Sequence, residues 1–277
     1  MYIAFTYNAN NPSAYQLMQA MAAYIKSKGA QVLEHDGECG VPLTSIHDCD
    51  FTGCDACVSL GGDGTLLATT RRVAIYDVPL FGVNMGQVGF LSAVEKDKAF
   101  DALDNLLAGN YRLQERIMLM AALRRNGQEL TGCSAFNDIV VSSGTNSRAV
   151  TLDLSIDGEP INSYNADGII MSTPTGCTGY SLSAGGPIIL EDLEVTLITP
   201  VCPHSFFSRP IVASAASEVE IVNRSESQAA SLTADGQFRF TLERDDVITV
   251  FQSPYRARMI RFNGDSYFQR IKRKLYV

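Results

Sequence analysis

Hydrophobic and polar positions alternate along the first third of the chain in the pattern of strands followed by helices. A short apolar run at residues 2–6 predicts a strand. The next apolar residues recur at helical spacing and stop at Gly29, which suits a helix C-terminus: Ala14, Leu17, Met18, Met21, Tyr24 and Ile25. Further strands are predicted at 32–33, 56–60 and 79–83, and helices at about 66–75 and 96–107. This alternation predicts an α/β domain with a doubly wound, parallel sheet.

From about residue 111 the pattern changes to short strand-like runs. These runs span residues 117–124, 139–142, 152–156, 168–171, 194–199, 219–222, 238–242 and 247–251. Asn126-Gly127, Asp157-Gly158 and Asp235-Gly236 lie between or beside them, and such dipeptides favour tight hairpins. We therefore predict an α/β N-terminal domain over residues 1–110 and a mainly-β C-terminal domain over 111–259. The segment 260–277, with a helix near its end, is predicted to pack back on the first domain.

Composition and charge exclude several classes of protein. The chain has 277 residues, of which 46% are hydrophobic and 19% charged, and its net charge is −8. No apolar run approaches the ~18 residues of a membrane span, and an acidic chain is a poor match for nucleic acid or an anionic membrane. Seven cysteines, an odd number, fit reduced thiols better than a disulfide framework. Together with an N-terminus that reads as a strand, these features predict a cytoplasmic protein.

A glycine-rich acidic loop is the first candidate site. The predicted strand 56–60 runs into Gly61-Gly62-Asp63-Gly64-Thr65, which opens an apolar helix. Glycines at the carboxyl end of a strand let backbone N–H groups approach a phosphate, and the helix N-terminus adds positive potential. A carboxylate at Asp63 beside a polyphosphate is repulsive unless it holds a metal ion or accepts a hydrogen bond from an attacking hydroxyl, and this points to phosphoryl transfer. The alternative is a tight turn in which Asp63 only caps the helix.

A second constellation lies between Asn165 and Pro187. There an apolar strand leads into a turn rich in hydroxyl groups and glycine and then a short helix. Backbone N–H groups near Gly176 to Gly179 and nearby hydroxyls are suited to binding a sugar or a base, and Asp167 to binding ribose hydroxyls. The hydroxyls concerned belong to Thr175, Thr178, Tyr180 and Ser183. The alternative is that Ser and Thr cap the helix after Pro174.

These residues resemble the NAD kinase family. Gly-Gly-Asp-Gly-Thr is also found in lipid kinases and, more loosely, in phosphofructokinases, but the stretch from Asp167 to Pro187 is similar to the NAD kinase signature alone. Cys177 and Gly179 depart from it, because the family usually has Ser and Ala there. Further matching segments are Asn84–Leu91, Phe136-Asn137-Asp138, Ile198–Ile211, Asp235-Gly236-Gln237 and Tyr267–Leu275.

The resemblance implies the NAD kinase-like two-domain fold and the transfer of the ATP γ-phosphoryl group to the 2′-hydroxyl of the adenosine ribose of NAD, giving NADP. It implies a divalent cation, Mg²⁺ carried on ATP, and a homodimer or homotetramer. Asp63 would be the catalytic residue, and no protein metal ligand is assigned. The implied binding residues are Asp63, Gly64, Asn137, Asp138, Arg148, Asn165, Asp167, Thr178, Gly179, Tyr180, Ser181, Leu182, Ser183 and Gln237.

Other functions stay open at this stage. A lipid or sugar kinase could share the acidic glycine loop, and a non-catalytic sensor could bind NAD without chemistry. The spacing of Cys49, Cys54 and Cys57 matches one type of iron–sulfur loop. A thiol nucleophile at Cys177, with His204 as its base, is a further alternative.

Overall fold

Helices follow strands in the first third of the chain, as the hydrophobic pattern predicts. The computed structural model describes residues 1–86, 89–92, 94–144, 149–204, 208–226, 230–264 and 266–275, with side chains as far as Lys272. The α-helices are α1 (Pro12–Ser27), α2 (Asp63–Val73), α3 (Ala99–Leu107), α4 (Tyr180–Ser183) and α5 (Tyr267–Leu275). No described helix combines the length and the apolar character needed to cross a membrane.

The strands fall into two groups, which follow the division of the chain into two units. Met1–Arg116 and Tyr255–Val277 form the first unit, and Ile117–Pro254 forms the second. The first segment of the first unit contains β1 (Tyr2–Tyr7), β2 (Gln31–Val32), β3 (Glu34–His35), β4 (Glu38–Cys39), β5 (Val41–Pro42), β6 (Ala56–Gly61), β7 (Leu80–Asn84), β8 (Val94–Glu95) and β9 (Arg112–Arg116). The second unit contains β10 (Leu119–Arg125), β11 (Gln128–Ala135), β12 (Asp138–Ser143), β13 (Val150–Ile156), β14 (Glu159–Ala166), β15 (Gly168–Ser172), β16 (Val195–Val201), β17 (Ile211–Ser214), β18 (Val219–Asn223), β19 (Ala230–Ala234), β20 (Phe238–Thr241) and β21 (Val247–Gln252). The last strand, β22 (Ala257–Arg261), returns to the first unit.

The sheet of the first unit has the order β2-β1-β6-β7-β22-β9, with β5 beside β1 and β8 beside β7. Its strands pair in parallel except for β9, which is antiparallel to β22. Apolar side chains of β1 and β6, such as Phe5 and Val58, are buried in one cluster with α1 and α3. On α2, the Thr69 hydroxyl bonds to the hydroxyls of Thr6 (2.7 Å) and Ser59 (3.1 Å). The predicted α/β class is confirmed.

The second unit consists of two antiparallel sheets, with the orders β11-β10-β21-β18-β13-β14 and β17-β16-β15-β12-β19-β20. Leu119 and Leu152 of the first sheet share a buried core with Ile139 and Ile169 of the second. Asn126, Asp157 and Asp235 all have positive φ, as does the glycine after each of them. Two consecutive left-handed residues are typical of tight hairpin turns. The predicted mainly-β architecture and its three turns are confirmed.

Candidate active site

The glycine-rich loop connects β6 to α2 at the carboxyl edge of the parallel sheet. A Cβ atom on Gly61 would overlap the side chain of Thr65, so the strand turns into the helix only because that position has no side chain. Gly62 is the N-cap of α2 and supplies no side-chain cap bond. Its carbonyl accepts from the N–H groups of Thr65 (3.0 Å) and Leu66 (3.2 Å). The loop therefore exposes a helix N-terminus that no side chain caps.

The carboxylate of Asp63 reaches away from its own helix to the loop that follows β7. Its Oδ2 accepts from the N–H of Phe90 at 2.9 Å, and its Oδ1 from the N–H of Leu91 at 3.3 Å. The alternative in which Asp63 only caps α2 is therefore wrong. Two backbone donors fix the orientation of a carboxylate, which is what a positioned proton acceptor requires.

Gly89 brings the backbone of this second loop against Asp63. A Cβ atom on Gly89 would overlap the Asp63 carboxylate. The close approach, and not a left-handed backbone, is what excludes a larger residue here. Residues 87 and 88 of the same loop lie outside the described part of the chain.

Asn137 and Asp138 lie at the start of β12 in the second unit, where Asp138 is opposite Ser172 of β15. The side chain of Asp235, in the turn before β20, accepts from the N–H groups of Phe136 (3.0 Å), Asn137 (2.7 Å) and Asp138 (3.2 Å). Asp235 therefore fixes the backbone of this pair. Sequence reasoning selected Gln237 from the turn and missed Asp235, although an Asp before Gly at a hairpin was a usable signal.

The turn after β15 packs on the same backbone. The hydroxyl of Thr173 donates to the carbonyl of Phe136 (2.7 Å) and accepts from the N–H of Gly176 (3.1 Å). A Cβ atom on Gly176 would overlap the backbone of Asn137. The hydroxyl- and glycine-rich turn is thus held directly against the Asn137 and Asp138 pair.

A cavity of about 420 Å³ opens on this side of the second unit, and its lining includes Asn137, Asp138, Tyr180, Thr233, Asp235 and Arg239. Within it the buried Oδ1 atom of Asn137 has no hydrogen-bond partner in the described ranges of the chain. A Cβ atom on Gly179 would lie 3.8 Å from the side-chain amide nitrogen of Asn137 and 4.0 Å from a carboxylate oxygen of Asp138. Asn137, Asp138, Gly179 and Tyr180 are therefore brought together, as expected for a ligand site.

The electrostatics of the cavity are dominated by carboxylates. Burial, and then the charge of Asp235, raise the pKa of Asp138 to about 7. Burial also raises the pKa of Tyr180, with further contributions from the negative charges of Cys202, Asp167 and Asp138. The Asp167 side chain is exposed and close enough to Tyr180 to act on it.

The remaining predicted residues differ in what they offer a ligand. Ser181 is fully buried and its hydroxyl pairs with that of Thr199 at 2.9 Å, so its side chain serves packing. Thr178 and Leu182 are partly buried, and the exposed residues are Gly64, Asn165, Ser183 and Gln237. The carbonyl of Asn165 accepts from the N–H of His204 at 2.8 Å. Arg148 lies outside the described residues.

The cysteines form neither the iron–sulfur loop nor the thiol nucleophile that the sequence left open. Cys177 is fully buried, and its sulfur lies 3.2 Å from the nitrogen and 3.5 Å from the oxygen of Ile189, which gives no access to a substrate. Burial raises the pKa of the Cys54 thiol to about 12 and also raises that of Cys57. No group of three or more potential metal-binding side chains occurs among the described residues.

The raised pKa of Asp138 predicts a pH-dependent stability. Between the ordinary pKa of 3.8 and about 7 the native carboxyl keeps a proton that the unfolded chain has lost. Its contribution is therefore most favourable below pH 3.8 and is lost as the pH rises through 7. We expect Asp138→Asn to unfold a few degrees above the wild type at pH 8 and at nearly the same temperature at pH 4.5.

Thermal melts from pH 4.5 to 8.5 measure this difference. The exposed Asp192→Asn is the matched control, for which we expect a small difference with little dependence on pH. A melting difference between Asp138→Asn and the wild type that stays constant across the range would show that Asp138 is ionised throughout.

Comparison with known proteins gives one consistent result. A family model described as the ATP-NAD kinase N-terminal domain matches residues 3–111, and one described as the ATP-NAD kinase C-terminal domain matches residues 136–262. A protein of Symbiobacterium thermophilum named NAD kinase is 39% identical over 276 residues, which cover 98% of each chain. One of Thiobacillus denitrificans with the same name is 37% identical over 265 residues, covering 94% of this chain and 91% of the relative.

Two solved structures have the same architecture. A yeast NADH kinase complexed with NADH aligns with a TM-score of 0.83 at 25% identity, covering 100% of this chain and 87% of the other. An NAD kinase from Archaeoglobus fulgidus in complex with ATP aligns with a TM-score of 0.74 at 25% identity, covering 100% and 97%.

Proposed function

The chain belongs to the NAD kinase family and phosphorylates NAD to NADP with ATP as the donor, and we propose that Asp63 is its catalytic base. One Asp63 oxygen would accept the proton of the ribose 2′-hydroxyl as that oxygen attacks the γ-phosphorus of ATP. The new bond joins the 2′-oxygen to phosphorus. The bond between the γ-phosphorus and the bridging oxygen breaks, and its electron pair leaves with ADP.

The observation that supports this role is the fixed carboxylate of Asp63. It is held by the N–H groups of Phe90 and Leu91 and stands in the first turn of an uncapped helix. Phosphoryl transfer depends mainly on alignment and on electrostatic stabilisation, so a rigid acceptor beside a helix N-terminus suits it.

We propose that most of the residues that bind the dinucleotide belong to the second unit. The unsatisfied Oδ1 of Asn137 can accept from an amino group or a hydroxyl, and Asp138 can bond to ribose hydroxyls. The exposed ring of Tyr180 offers a face for a base. The further contacts that we propose come from Gly64, Arg148, Asn165, Asp167, Thr178, Gly179, Ser181, Leu182, Ser183 and Gln237; for Ser181 the contact would be made by the backbone.

We also propose that Mg²⁺ enters as the MgATP complex. The triphosphate would otherwise meet the Asp63 carboxylate without a neutralising cation. A cytoplasmic location and a homodimer or homotetramer are proposed on the strength of the family resemblance and of the acidic, cysteine-containing composition.

Incubating the purified protein with NAD and MgATP tests the reaction, with the product measured by a dehydrogenase that uses only NADP. We expect NADP and ADP in equal amounts. Omitting Mg²⁺ should abolish turnover. Release of ADP without NADP, or no reaction under any of these conditions, would contradict the proposal.

A further inference from the structure

Asn84 is the last residue of β7. Its side chain lies on the face of the sheet that packs against the first turn of α2. It is paired in register with Gly61 of the neighbouring parallel strand β6. Register partners in a parallel sheet point to the same face, and the side of Gly61 that would carry Cβ faces Thr65 of α2. Gly82, two residues before Asn84, gives the same result, because its Cβ would lie 3.1 Å from Leu66 of α2.

The side chain of Asn84 is only half satisfied there. The residue is 3% exposed, and its Oδ1 accepts from the N–H of Gly86 at 3.1 Å. Its Nδ2 group is buried and has no hydrogen-bond partner among the described residues. A buried donor that is left unpaired is costly and needs an explanation.

A second unsatisfied donor lies on the same face. Ser92 is 6% exposed, and its oxygen would lie 3.1 Å from a Cβ atom on Gly82. In the part of the chain that the structure describes, its hydroxyl has no hydrogen-bond partner. The amide of Asn84 and the hydroxyl of Ser92 thus both lie beside the end of α2 that has no side-chain cap. Two buried donors at the positive end of a helix are suited to an anion.

We propose that Asn84, assisted by Ser92, is a further substrate-binding residue whose side-chain amide donates to a phosphoryl oxygen of the ATP triphosphate. This inference rests on the proposed function, since ATP is the anion that the reaction brings to Asp63. Because Oδ1 is already fixed by Gly86, Nδ2 is held in one orientation. Asp63 accepts protons, so it cannot itself supply this donor.

Asn84→Asp is the sharpest test, because it retains the shape of the side chain and the acceptor for Gly86 but replaces the donor with a negative oxygen. Loss of a hydrogen bond to a charged group predicts a fall in kcat/KM for ATP of roughly ten- to a hundredfold. We expect the KM for NAD to change less than twofold. Inorganic tripolyphosphate with Mg²⁺ should raise the melting temperature of the wild type and not that of Asn84→Asp.

Asn8→Asp is the matched control. Asn8 follows β1 and makes the same local turn, with its Oδ1 accepting from the N–H of Asn10 at 3.0 Å. Asn8→Asp introduces the same charge at the end of β1 and does not remove a buried donor. We expect it to keep the tripolyphosphate response and a kcat/KM for ATP within about threefold of the wild type.

Ser92→Ala is a second test variant, which is used if the buried charge of Asn84→Asp prevents folding. It removes only a hydroxyl and adds no charge. It should lower kcat/KM for ATP by roughly three- to tenfold. Equal losses in Asn84→Asp and Asn8→Asp, or a wild-type response to tripolyphosphate in both Asn84→Asp and Ser92→Ala, would overturn the inference. Tripolyphosphate binding needs no turnover, so the failure of this inference and the failure of the kinase assignment give different results.

Discussion

Replacing Asp63 with asparagine is expected to lower kcat for NADP formation by at least about a hundredfold, the lower end of the effect of removing a general base. The amide keeps nearly the same volume, and its oxygen can still accept from one of the two N–H groups of Phe90 and Leu91. It has no useful basicity toward a ribose hydroxyl. Initial rates at saturating NAD and MgATP measure the loss.

Asp101→Asn is the matched control, because Asp101 also stands in the first turn of a helix, α3, and is exposed. It loses the same favourable interaction with a helix N-terminus, and we expect kcat within about twofold of the wild type. If Asp63→Asn loses tenfold or less, Asp63 is not the base. A protein that merely senses NAD would respond to the ligand equally well before and after the change and would produce no NADP in either form.

Gly89→Ala is expected to be almost as damaging, with activity lower by about a hundredfold, because displacing a catalytic group by about 1 Å can have that effect. The new methyl group would overlap the Asp63 carboxylate, so either the loop or the carboxylate must move. The backbone of Gly89 is not left-handed, so alanine introduces no backbone strain of that kind. The loss should therefore appear mainly in kcat, with a small change in melting temperature.

Gly86→Ala, in the same loop, separates this contact from the general effect of a larger residue. A Cβ atom at Gly86 meets none of the described residues within 4 Å, and we expect activity within about threefold of the wild type. Similar losses in both variants would assign the effect to loop flexibility and not to the Asp63 contact.

The sequence suggests candidate residues for the site more readily than the contacts that hold them in place. Asp63 could be selected as the candidate base because a carboxylate in a glycine-rich loop after a strand has few structural uses. Gly89 could not, because its importance lies in a close approach to Asp63, and for Asp235 the Asp-Gly pair indicated a turn but not the bonds to the backbone of residues 136–138. A one-dimensional pattern carries no record of such contacts.

Exposure explains two of the strands that the pattern missed. In β9 and β14 most side chains are exposed or only partly buried, so no alternation of apolar and polar residues marks them. In β22 the sequence Ala-Arg-Met-Ile-Arg includes a buried arginine, Arg261, which reads as a polar position. The helices α1, α2 and α3 begin within a few residues of their predicted starts, because four to six buried positions per helix recur at helical spacing.

The position of β22 determines the order in which the protein can be completed during translation. This strand lies between β7 and β9, yet it is synthesised after the whole of the second unit. The second unit is continuous in sequence and can fold as soon as it leaves the ribosome, whereas the first must wait with a gap in its sheet until the last twenty or so residues emerge. A nascent chain whose residues up to Pro254 have emerged would therefore contain every strand of the second unit, while the sheet of the first unit would still lack β22.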